Sequence, residues 1–472
     1  QISVSHGQNF DRQDGKYLTV DANLGLSLGD RGFANLSYSY MDRGASNRAV
    51  PIADTVRLYP LVGGQLDPRE KSIDRLVTTN YGAMPQESNV FGLNAEYRLN
   101  EDVELYAFGT YGNRVSELNW TFRPPTNILS LPEIAPDGFR AQTVIKDEDY
   151  ELVGGARGAV GGWDWDLSTS YGTSISDWEN NSFNASLGPS SPRHFYIGQL
   201  RSAEWVNALD VTRGFALEGA GDLQVSFGLQ HRWESYEIGQ GDEASWIQGP
   251  YVRPAGQPGA GQILAPGAQS TPGFRPEDEA DVSRNNYSAY GELGWNPTER
   301  FYLGGAVRYE NFDDTAGDTT IYKVSSRYEL TDWVAVRGSY NTGFRAPSLA
   351  QQAYSATTSQ LRDIAGDGIL VPLRLKNLQV SSPEAIALGA KPLTPELSKN
   401  ASLGFTLTPW SNFVLTLDAY QIDVEDRIAV TTTFSPLDTR LSADGVTTIG
   451  KQIQNILVAN GLSPDVSGQY YT

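Results

Sequence analysis

Hydrophobic and polar residues alternate with a period of two along most of the chain. From Leu18 to Leu28 every even-numbered residue is apolar, whereas the odd-numbered residues between them are polar or glycine. The alternation resumes over Ala34–Tyr40, after the turn Gly29–Gly32. Because successive side chains of a β-strand point to opposite faces, this pattern predicts a hairpin with one apolar and one polar face.

The same hairpin unit recurs along the chain, and helical periodicity is weak by comparison. The paired segments are Asn89–Leu99 with Val103–Glu117, Tyr150–Val160 with Trp163–Asp177, Asn207–Leu217 with Asp222–Ile238, Asn285–Asn296 with Arg300–Phe312, Thr319–Leu330 with Trp333–Arg345, and Leu397–Thr408 with Phe413–Val430. Together with the first hairpin and a short strand near Gln1–Ser5, the alternation predicts about 15 strands.

The connections between these strands alternate between short and long. Most of the turns within the hairpins have two to four residues, whereas the segments Gly44–Ser88, Asn119–Asp149, Gly239–Arg284 and Ala346–Glu396 are long. Short periplasmic turns and long extracellular loops are typical of an outer-membrane β-barrel. A soluble β-propeller would show a repeat of about 40–50 residues, and no such repeat is present. Soluble sandwiches rarely have loops of this length at every second connection.

Strand faces follow from this arrangement. On the strand Trp333–Arg345, we expect Val334, Val336, Tyr340 and Phe344 to face lipid, and Arg337 and Asn341 to face the lumen. An arginine at the lipid midplane costs about 2–4 kcal/mol, so Arg337 should point inward. Tryptophans near strand ends are expected to form an interfacial girdle, with sugar stacking as the functional alternative. These are Trp163, Trp165, Trp233 and Trp295.

Composition narrows the possible functions. The 472 residues include 48 Gly and 24 Tyr but no Cys, which excludes a disulfide framework and thiolate metal sites. The net charge of −20 argues against a nucleic acid partner, because binding phosphates needs a basic surface. The sequence contains no run of 18 apolar residues, so it predicts no membrane-spanning helix.

Three local motifs resemble those of the TonB-dependent receptors of the bacterial outer membrane. The strongest is Gly343-Phe344-Arg345-Ala346-Pro347 at the end of a strand. Leu393–Ser398 resembles the family's Pro-Glu-x-Ser strand start, and Asp426-Arg427-Ile428 resembles the end of the strand that follows. The early hairpin Leu26–Arg48 is also similar to proteobacterial members. Together the matches span most of the chain.

The resemblance implies an all-β fold, the antiparallel wall of a transmembrane β-barrel. The family barrel has about 22 strands around a plug domain, so about 15 strands would be part of it. We therefore interpret residues 1–472 as a partial barrel that lacks the plug domain expected before it and about seven strands expected after Val430. Residues 431–472 are expected to be part of an extracellular loop. An open sheet is expected, with a gap between Gln1–Ser5 and Phe413–Val430, because both edge strands rise from the periplasm.

The resemblance also implies active import across the outer membrane. The expected partners are the TonB–ExbB–ExbD complex, acting through the plug, the surrounding lipopolysaccharide and other lipids, and a small nutrient ligand. A ferric siderophore is the default ligand, and a cobalamin or carbohydrate importer remains open. A passive porin-like channel and a surface adhesin or phage-attachment barrel are further alternatives. Arg345 is expected to contact the plug or the rim, with direct ligand binding as the alternative.

The residues suggest no catalytic chemistry and no cofactor. The three histidines, His6, His194 and His231, are far apart, so neither a metal site nor an enzyme is expected. His231 is expected at the membrane interface. The acidic runs Asp147–Asp149 and Glu277–Glu279 are interpreted as solvated loop surface, with divalent-cation contact to lipopolysaccharide as the alternative. The sequence alone assigns no substrate-binding residues.

Overall fold

The computed structural model describes residues 1–257, 259–363 and 370–472, and its main feature is one antiparallel sheet. Fifteen strands form this sheet over the described residues, and neighbours in the sheet follow one another along the chain. They are β1 (Ile2–Gly7), β2 (Tyr17–Ser27), β3 (Gly32–Arg43), β4 (Gln86–Arg98), β5 (Val103–Asn119), β6 (Gln142–Val160), β7 (Trp163–Asn181), β8 (His194–Leu217), β9 (Gly221–Gly239), β10 (Ala280–Thr298), β11 (Phe301–Phe312), β12 (Asp318–Thr331), β13 (Val334–Arg345), β16 (Glu396–Trp410) and β17 (Phe413–Glu425). The predicted fold class and strand number are confirmed.

Most of the remaining elements lie in the long connections or in the segment that follows β17. The segments are α1 (Leu349–Ala353), β14 (Ala356–Asp363), β15 (Leu370–Asn377), α2 (Pro383–Ala387), α3 (Ile449–Ala459) and β18 (Val466–Gln469). Short 3-10 helices lie at Gly29–Arg31, Pro68–Lys71, Ala185–Ser190, Glu243–Ser245 and Pro276–Asp278. Within the described ranges, none of the helices has the length and apolar composition needed to cross a bilayer.

The sheet is open at its two edges. β1 pairs with β2 and β17 pairs with β16, and no described residue of β1 pairs with β17. Every residue of β17 is exposed. This agrees with the gap expected from two edge strands that run in the same direction. That a plug and further strands belong to the whole protein stays a prediction.

The register fixes which side chains share a face. Arg337 lies opposite Gly404 and donates to Asp418 on the same face, at 2.7 and 2.8 Å. Val336 lies between Tyr328 and Phe405, on the other face. The polar face carries hydrogen-bonded and ion-paired side chains, whereas the apolar face carries aromatic and aliphatic ones. The alternation predicted for this strand is therefore present as far as Asn341.

Aromatic side chains form bands on the apolar face. Towards the long loops, neighbouring rings pair across strands, as Tyr38 with Phe91 at 4.8 Å and Tyr322 with Tyr340 at 6.1 Å. Beside the short turns, Trp410 pairs with Phe413 at 5.4 Å. Aromatic residues of this kind mark the two membrane interfaces of a barrel.

Two bodies of packed loops lie beyond the wall. The outer-loop cluster is formed by residues 44–85, 120–141, 182–193, 240–257 and 259–279, around buried Leu131, Phe183 and Leu264. The tail module joins residues 378–393 to the segment 426–472, around Leu378, Leu393 and Tyr470. A small sheet adjoins the tail module: β14 and β15 pair antiparallel, and β15 pairs parallel with β18 of the module. These elements were predicted only as loop, because their short strands and helices are specified by packing between distant segments.

Candidate functional site

The three sequence motifs meet at one point on the loop side of the wall. Arg345, the last residue of β13, donates from Nη2 and Nε to the two carboxylate oxygens of Glu396, the first residue of β16, at 2.7 and 2.9 Å. The backbone N–H of Ile428 donates to the same carboxylate at 2.8 Å. We call this group, Arg345, Glu396 and Ile428, the rim node.

Local backbone geometry explains how the motifs reach one another. Arg345 and Glu396 are directly opposed in the register of β13 and β16. Gly343 lies opposite Ser398, and a Cβ atom there would be 2.7 Å from Ser398 Oγ, so a larger residue would require the Ser398 side chain to move. Asp426 has a φ of 54°, a left-handed conformation that aspartate tolerates better than most residues. It follows β17 directly, and two residues later Ile428 donates to Glu396 and packs against the tail module.

A second arginine, Arg284 on β10, holds the segment that follows the rim node. Its side chain is 5% exposed and pairs with Glu234 at 2.6 Å and with Asp314 at 3.2 Å. It also donates to the carbonyl oxygen of Pro347 at 2.8 Å. Sequence reasoning missed Arg284. The available signal was its position on the polar face of a strand, in register with Glu234.

Beyond Pro347 the chain crosses the inner face of the wall. Ser348 caps α1: its Oγ accepts from the Gln351 N–H at 3.1 Å, and the Gln351 side chain accepts from the Ser348 N–H at 3.0 Å. Leu349 and Ala353 then pack against Tyr236 and Ile238 of β9. The predicted long loop therefore begins with a short helix, which packs against β9.

Beneath α1 lies a cavity of about 870 Å³, which we call the rim chamber. The inner faces of β6 to β13 form its walls, and the segment that follows β13 closes it with Ala346, Ser348, Leu349 and Ala350. Charged residues of both signs line it: Arg232, Arg284, Arg308, Arg345, Glu151, Glu204, Glu234 and Glu310. The four positive and four negative side chains balance one another, and they offer hydrogen-bonding groups to a polar solute among apolar neighbours.

The ion pairs of the rim chamber differ in strength. Arg308 contacts Glu310 at 2.6 Å, whereas Arg232 approaches Glu204 only to 3.9 Å, and its Nε is buried without a partner. No cluster of His, Asp or Glu suited to a metal ion occurs in the described part of the chain. The side chains of the rim chamber can therefore recognise a ligand by hydrogen bonds and by charge.

Phe344 departs from the expectation that it faces lipid. Its ring lies 6.2 Å from the ring of Phe312, which is buried beneath the guanidinium of Arg284, and Phe344 lines the rim chamber. Pairing of β13 with β12 ends at Asn341, so the last residues of β13 are held only by β16. This one-sided pairing frees Phe344 from the alternation that governs the rest of the strand.

The acidic runs are only in part the expected solvated surface: the exposed residues are Glu148, Asp149, Glu277 and Glu279, whereas Asp147 and Asp278 have structural partners. Asp147 lies within β6, where Arg114 donates to it at 3.0 Å. Asp278 is 0% exposed and accepts from Ser355 at 2.6 Å, with Lys376 Nζ at 3.7 Å. The strands extend further towards the loops than the alternation indicated, which moved Asp147 out of the predicted loop.

His231 occupies the apolar face, as expected for an interfacial residue. Its ring lies between Trp205 and Tyr287, at 6.0 and 5.0 Å. Its nitrogens contact Asn207 at 3.3 Å and Asn285 at 3.1 Å. These are neutral partners on neighbouring strands, so the contacts describe a structural position within the aromatic band.

Comparison with solved structures places this architecture among outer-membrane receptors. The siderophore receptor PirA from Acinetobacter baumannii is 14% identical, with a TM-score of 0.59 over 91% of this chain and 53% of that chain. The ferric enterobactin receptor PfeA from Pseudomonas aeruginosa is also 14% identical, with a TM-score of 0.56 over 91% and 53%. The RagAB peptide transporter is 10% identical, with a TM-score of 0.54 over 87% and 44%. The chain thus spans about half the length of these structures.

No curated protein matches the sequence significantly. The family model for the TonB dependent receptor-like β-barrel matches residues 129–456, which is more than half of the chain. This match covers the rim chamber, the rim node and most of the wall. Members of the family are transporters of the outer membrane of Gram-negative bacteria, so the chain is not an enzyme. The chain belongs to the TonB-dependent receptor family, and its residues 129–456 match the β-barrel domain of that family.

Proposed function

We propose that this chain is the barrel portion of a receptor that actively imports a scarce nutrient, in the first instance a ferric siderophore. The observation that carries the proposal is the rim node, where three motif segments of the family meet beside a polar chamber on the loop side. A chamber of about 870 Å³ lies within the usual range of ligand sites, ~300–1,000 Å³. Two of the similar structures, PirA and PfeA, are siderophore receptors.

The proposal includes the partners expected for the family. A plug domain would occupy the lumen and connect the receptor to the TonB–ExbB–ExbD complex, which supplies the energy. Arg345 would then act through the rim node, by holding the wall and tail module in place around plug and ligand. The aromatic bands would lie against the outer-membrane lipids, with lipopolysaccharide on the loop side. The segment 426–472 would be extracellular, since it continues from β17 beyond the rim.

Other nutrients are compatible with the same wall. The similarity to the RagAB peptide transporter is nearly as strong as that to PfeA, so the fold alone does not select a siderophore. Cobalamin and carbohydrate importers, and a passive porin-like channel, remain as alternatives. The charged chamber walls favour a polar ligand, and siderophore, cobalamin and carbohydrate importers all bind ligands with polar groups. The substrate class therefore has to be measured.

The experiment is a growth-promotion assay. Cells that lack their own siderophore receptors would express the gene encoding this chain at its natural length, under iron limitation. Feeding with a panel of ferric chelates should restore growth for at least one chelate. Peptides, cobalamin or oligosaccharides, each supplied in a medium in which that nutrient limits growth, should not restore it. Rescue only by one of these other nutrients would reassign the substrate class. Ion conductance across planar bilayers without any energy source would favour the channel alternative.

A further inference from the structure

A row of hydrogen-bonded polar side chains crosses the apolar, lipid-facing side of the wall, within the aromatic band nearer the long loops. The bonds run in one direction over β7 to β10, with distances between 2.9 and 3.3 Å, and end at a carboxylate in the loop between β11 and β12. We call this row the polar track. Its members, from first donor to last acceptor, are Trp205, Thr169, Asn207, His231, Asn285 and Asp313. Polar side chains on a lipid-facing surface are costly, and those that persist there are commonly functional.

His231 holds the central place in the polar track. Asn207 presents its amide N–H group to Nδ1 of the ring, because its amide oxygen already accepts from Thr169. The neutral ring therefore carries its proton on Nε2, from which it donates to the Asn285 oxygen at 3.1 Å. Histidine is the side chain whose charge ordinarily changes between about pH 5 and 8. The direction of the track thus depends on the protonation state of one residue.

Protonation of His231 acts on the two halves of the track in opposite ways. A second ring N–H confronts the amide N–H of Asn207, so that contact is lost until the amide turns. On the other side, the charged ring donates more strongly to Asn285, because charge-assisted hydrogen bonds are the stronger ones. The side chains that face the ring are Trp205 and Asn207 on β8, and Asn285 and the titratable Tyr287 on β10. The next charged group along the track is the Asp313 carboxylate, which favours the charged ring.

The loop at the end of the polar track is attached to both faces of the wall. On the outer side, Asp313 accepts the backbone N–H of Asn285 at 2.7 Å, and its own N–H donates to the Asn285 carbonyl oxygen at 3.1 Å. Consecutive residues of a strand point to opposite faces, so Arg284 lies on the inner side, where it donates to Asp314 at 3.2 Å. The turn is tight, since Asp314 also accepts the N–H of Ala316 at 2.9 Å. The two neighbouring carboxylates therefore move together.

On the inner face, Asp314 holds the segment that closes the rim chamber. Its carboxylate accepts from the Gln352 side chain of α1 at 2.9 Å. Arg284, its other partner, donates to the carbonyl oxygen of Pro347 at 2.8 Å. Pro347 and Gln352, on either side of the closing residues, are thus both connected to the loop that carries Asp313. A change in how firmly this loop is held reaches α1 through these contacts.

We propose that His231 is a pH sensor for the rim chamber, with Asp313 and Asp314 as the connection through the wall. Protonation strengthens the bonds from the ring through Asn285 to Asp313, which holds the loop more firmly against β10. Asp314 in turn holds α1 more firmly over the chamber, so a bound ligand leaves more slowly in an acidic medium. This deepens the proposed function, on which it rests, by adding a means of regulation to the same chamber.

The test is hydrogen–deuterium exchange at α1 in the natural-length receptor, purified from outer membranes in detergent without ligand. Exchange is compared at about pH 5.5 and about pH 7.5, on either side of the ordinary histidine titration, after correction for intrinsic rates. The amides of Gln352 and Tyr354 donate within α1, to Ser348 and Ala350. In the wild type their protection should be at least about threefold higher at the lower pH, the effect of strengthening one hydrogen bond.

Three variants locate the response. His231→Gln keeps a donor and an acceptor but cannot become charged, so protection should be the same at both pH values. His194→Gln is the matched control, because it removes another histidine that contacts a neutral side chain, that of Asn181 at 2.9 Å, and it should respond like the wild type. Asp313→Asn leaves the imidazole in place but removes the carboxylate, and it should abolish the response. It replaces His231→Gln should that variant fail to fold, as judged by heat-dependent mobility in electrophoresis.

Equal protection at the two pH values in the wild type would overturn the inference. So would a response that survives His231→Gln or Asp313→Asn, or one that His194→Gln removes. Because the measurement uses no ligand, such a failure leaves the growth-promotion assay, and hence import itself, untouched. A failed growth assay would in turn leave the exchange result standing.

Discussion

Arg345 and Glu396 form a two-pronged ion pair, at 2.7 and 2.9 Å, that joins the end of β13 to the start of β16. Because Glu396 also accepts the N–H of Ile428, this one carboxylate fixes the tail module to the wall. The residues of the rim node thus connect the wall to the tail module, although they are up to 83 positions apart in the sequence, from Arg345 to Ile428.

Replacing Glu396 by alanine should release the tail module. The change removes the acceptor for Ile428 and both prongs of Arg345, and charge-assisted hydrogen bonds of this type are individually worth about 1.5–3 kcal/mol. We expect the Ile428 amide to exchange its hydrogen at least about tenfold faster, as measured by hydrogen–deuterium exchange. Lys399→Gln is the control, since it breaks only the exposed pair with Glu425. An unchanged exchange rate at the Ile428 amide would show that the rim node does not hold the tail module in place.

Replacing Arg284 by methionine should destabilise the wall around the rim chamber. Methionine preserves much of the length but leaves Glu234 and Asp314 without their shared cation in a buried setting. Breaking a buried ion pair from one side costs about 3–5 kcal/mol. Urea unfolding followed by tryptophan fluorescence measures the loss. Arg300→Met, in the exposed pair with Asp332, is the matched control and should change little. Equal stability of the two variants would contradict the role given to Arg284.

Protonation of Asp14 should loosen the first loop. The backbone N–H of Asn47 and the side chains of Asn9 and Arg48 donate to Asp14, and they hold its pKa at about 2, below the usual 3.8. Because the folded pKa is depressed, the stabilisation is complete above about pH 4 and is lost as the pH falls towards 2. Protection of the Asn47 amide, corrected for intrinsic exchange, should decline over that interval. In Asp14→Asn, protection should be low and independent of pH; a pH response retained in this variant would refute the assignment.

Much of this architecture could be predicted from the sequence, because period-two alternation reports directly on a wall with one wet and one apolar face. Val336 and Arg337 are on the predicted faces for that reason. Phe344 is not, because strand pairing on one side of it ends early. The motif residues were identified from the sequence. Their contact at Glu396 depends on the left-handed conformation of Asp426, which no local sequence pattern predicted.

The loop bodies were the least predictable part. Asp278 reads as a surface carboxylate in the sequence, yet it is buried against Ser355, 77 positions away. Arg123 and Gln269 meet across 146 positions. Such contacts arise from the packing of long loops against one another, so neither alternation nor composition carries a signal for them.

The open edge can be tested by engineered disulfides, because the chain has no native cysteine. The pair Val4→Cys with Val20→Cys joins opposed residues of β1 and β2 and should oxidise readily. The pair Val4→Cys with Gln421→Cys would join β1 to β17, and in the 472-residue chain it should remain reduced. Efficient formation of the second disulfide within one molecule, on the time scale of the first, would mean that the sheet closes on itself.

Energised uptake is the most direct test of the account, since it separates an active receptor from a passive wall. Cells expressing the gene at its natural length would receive a radiolabelled ferric chelate, with the tonB gene present or deleted. We expect accumulation only where TonB is present, and none from the 472-residue chain alone in either background. Equal uptake in the presence and absence of TonB, or uptake by the 472-residue chain alone, would contradict the account.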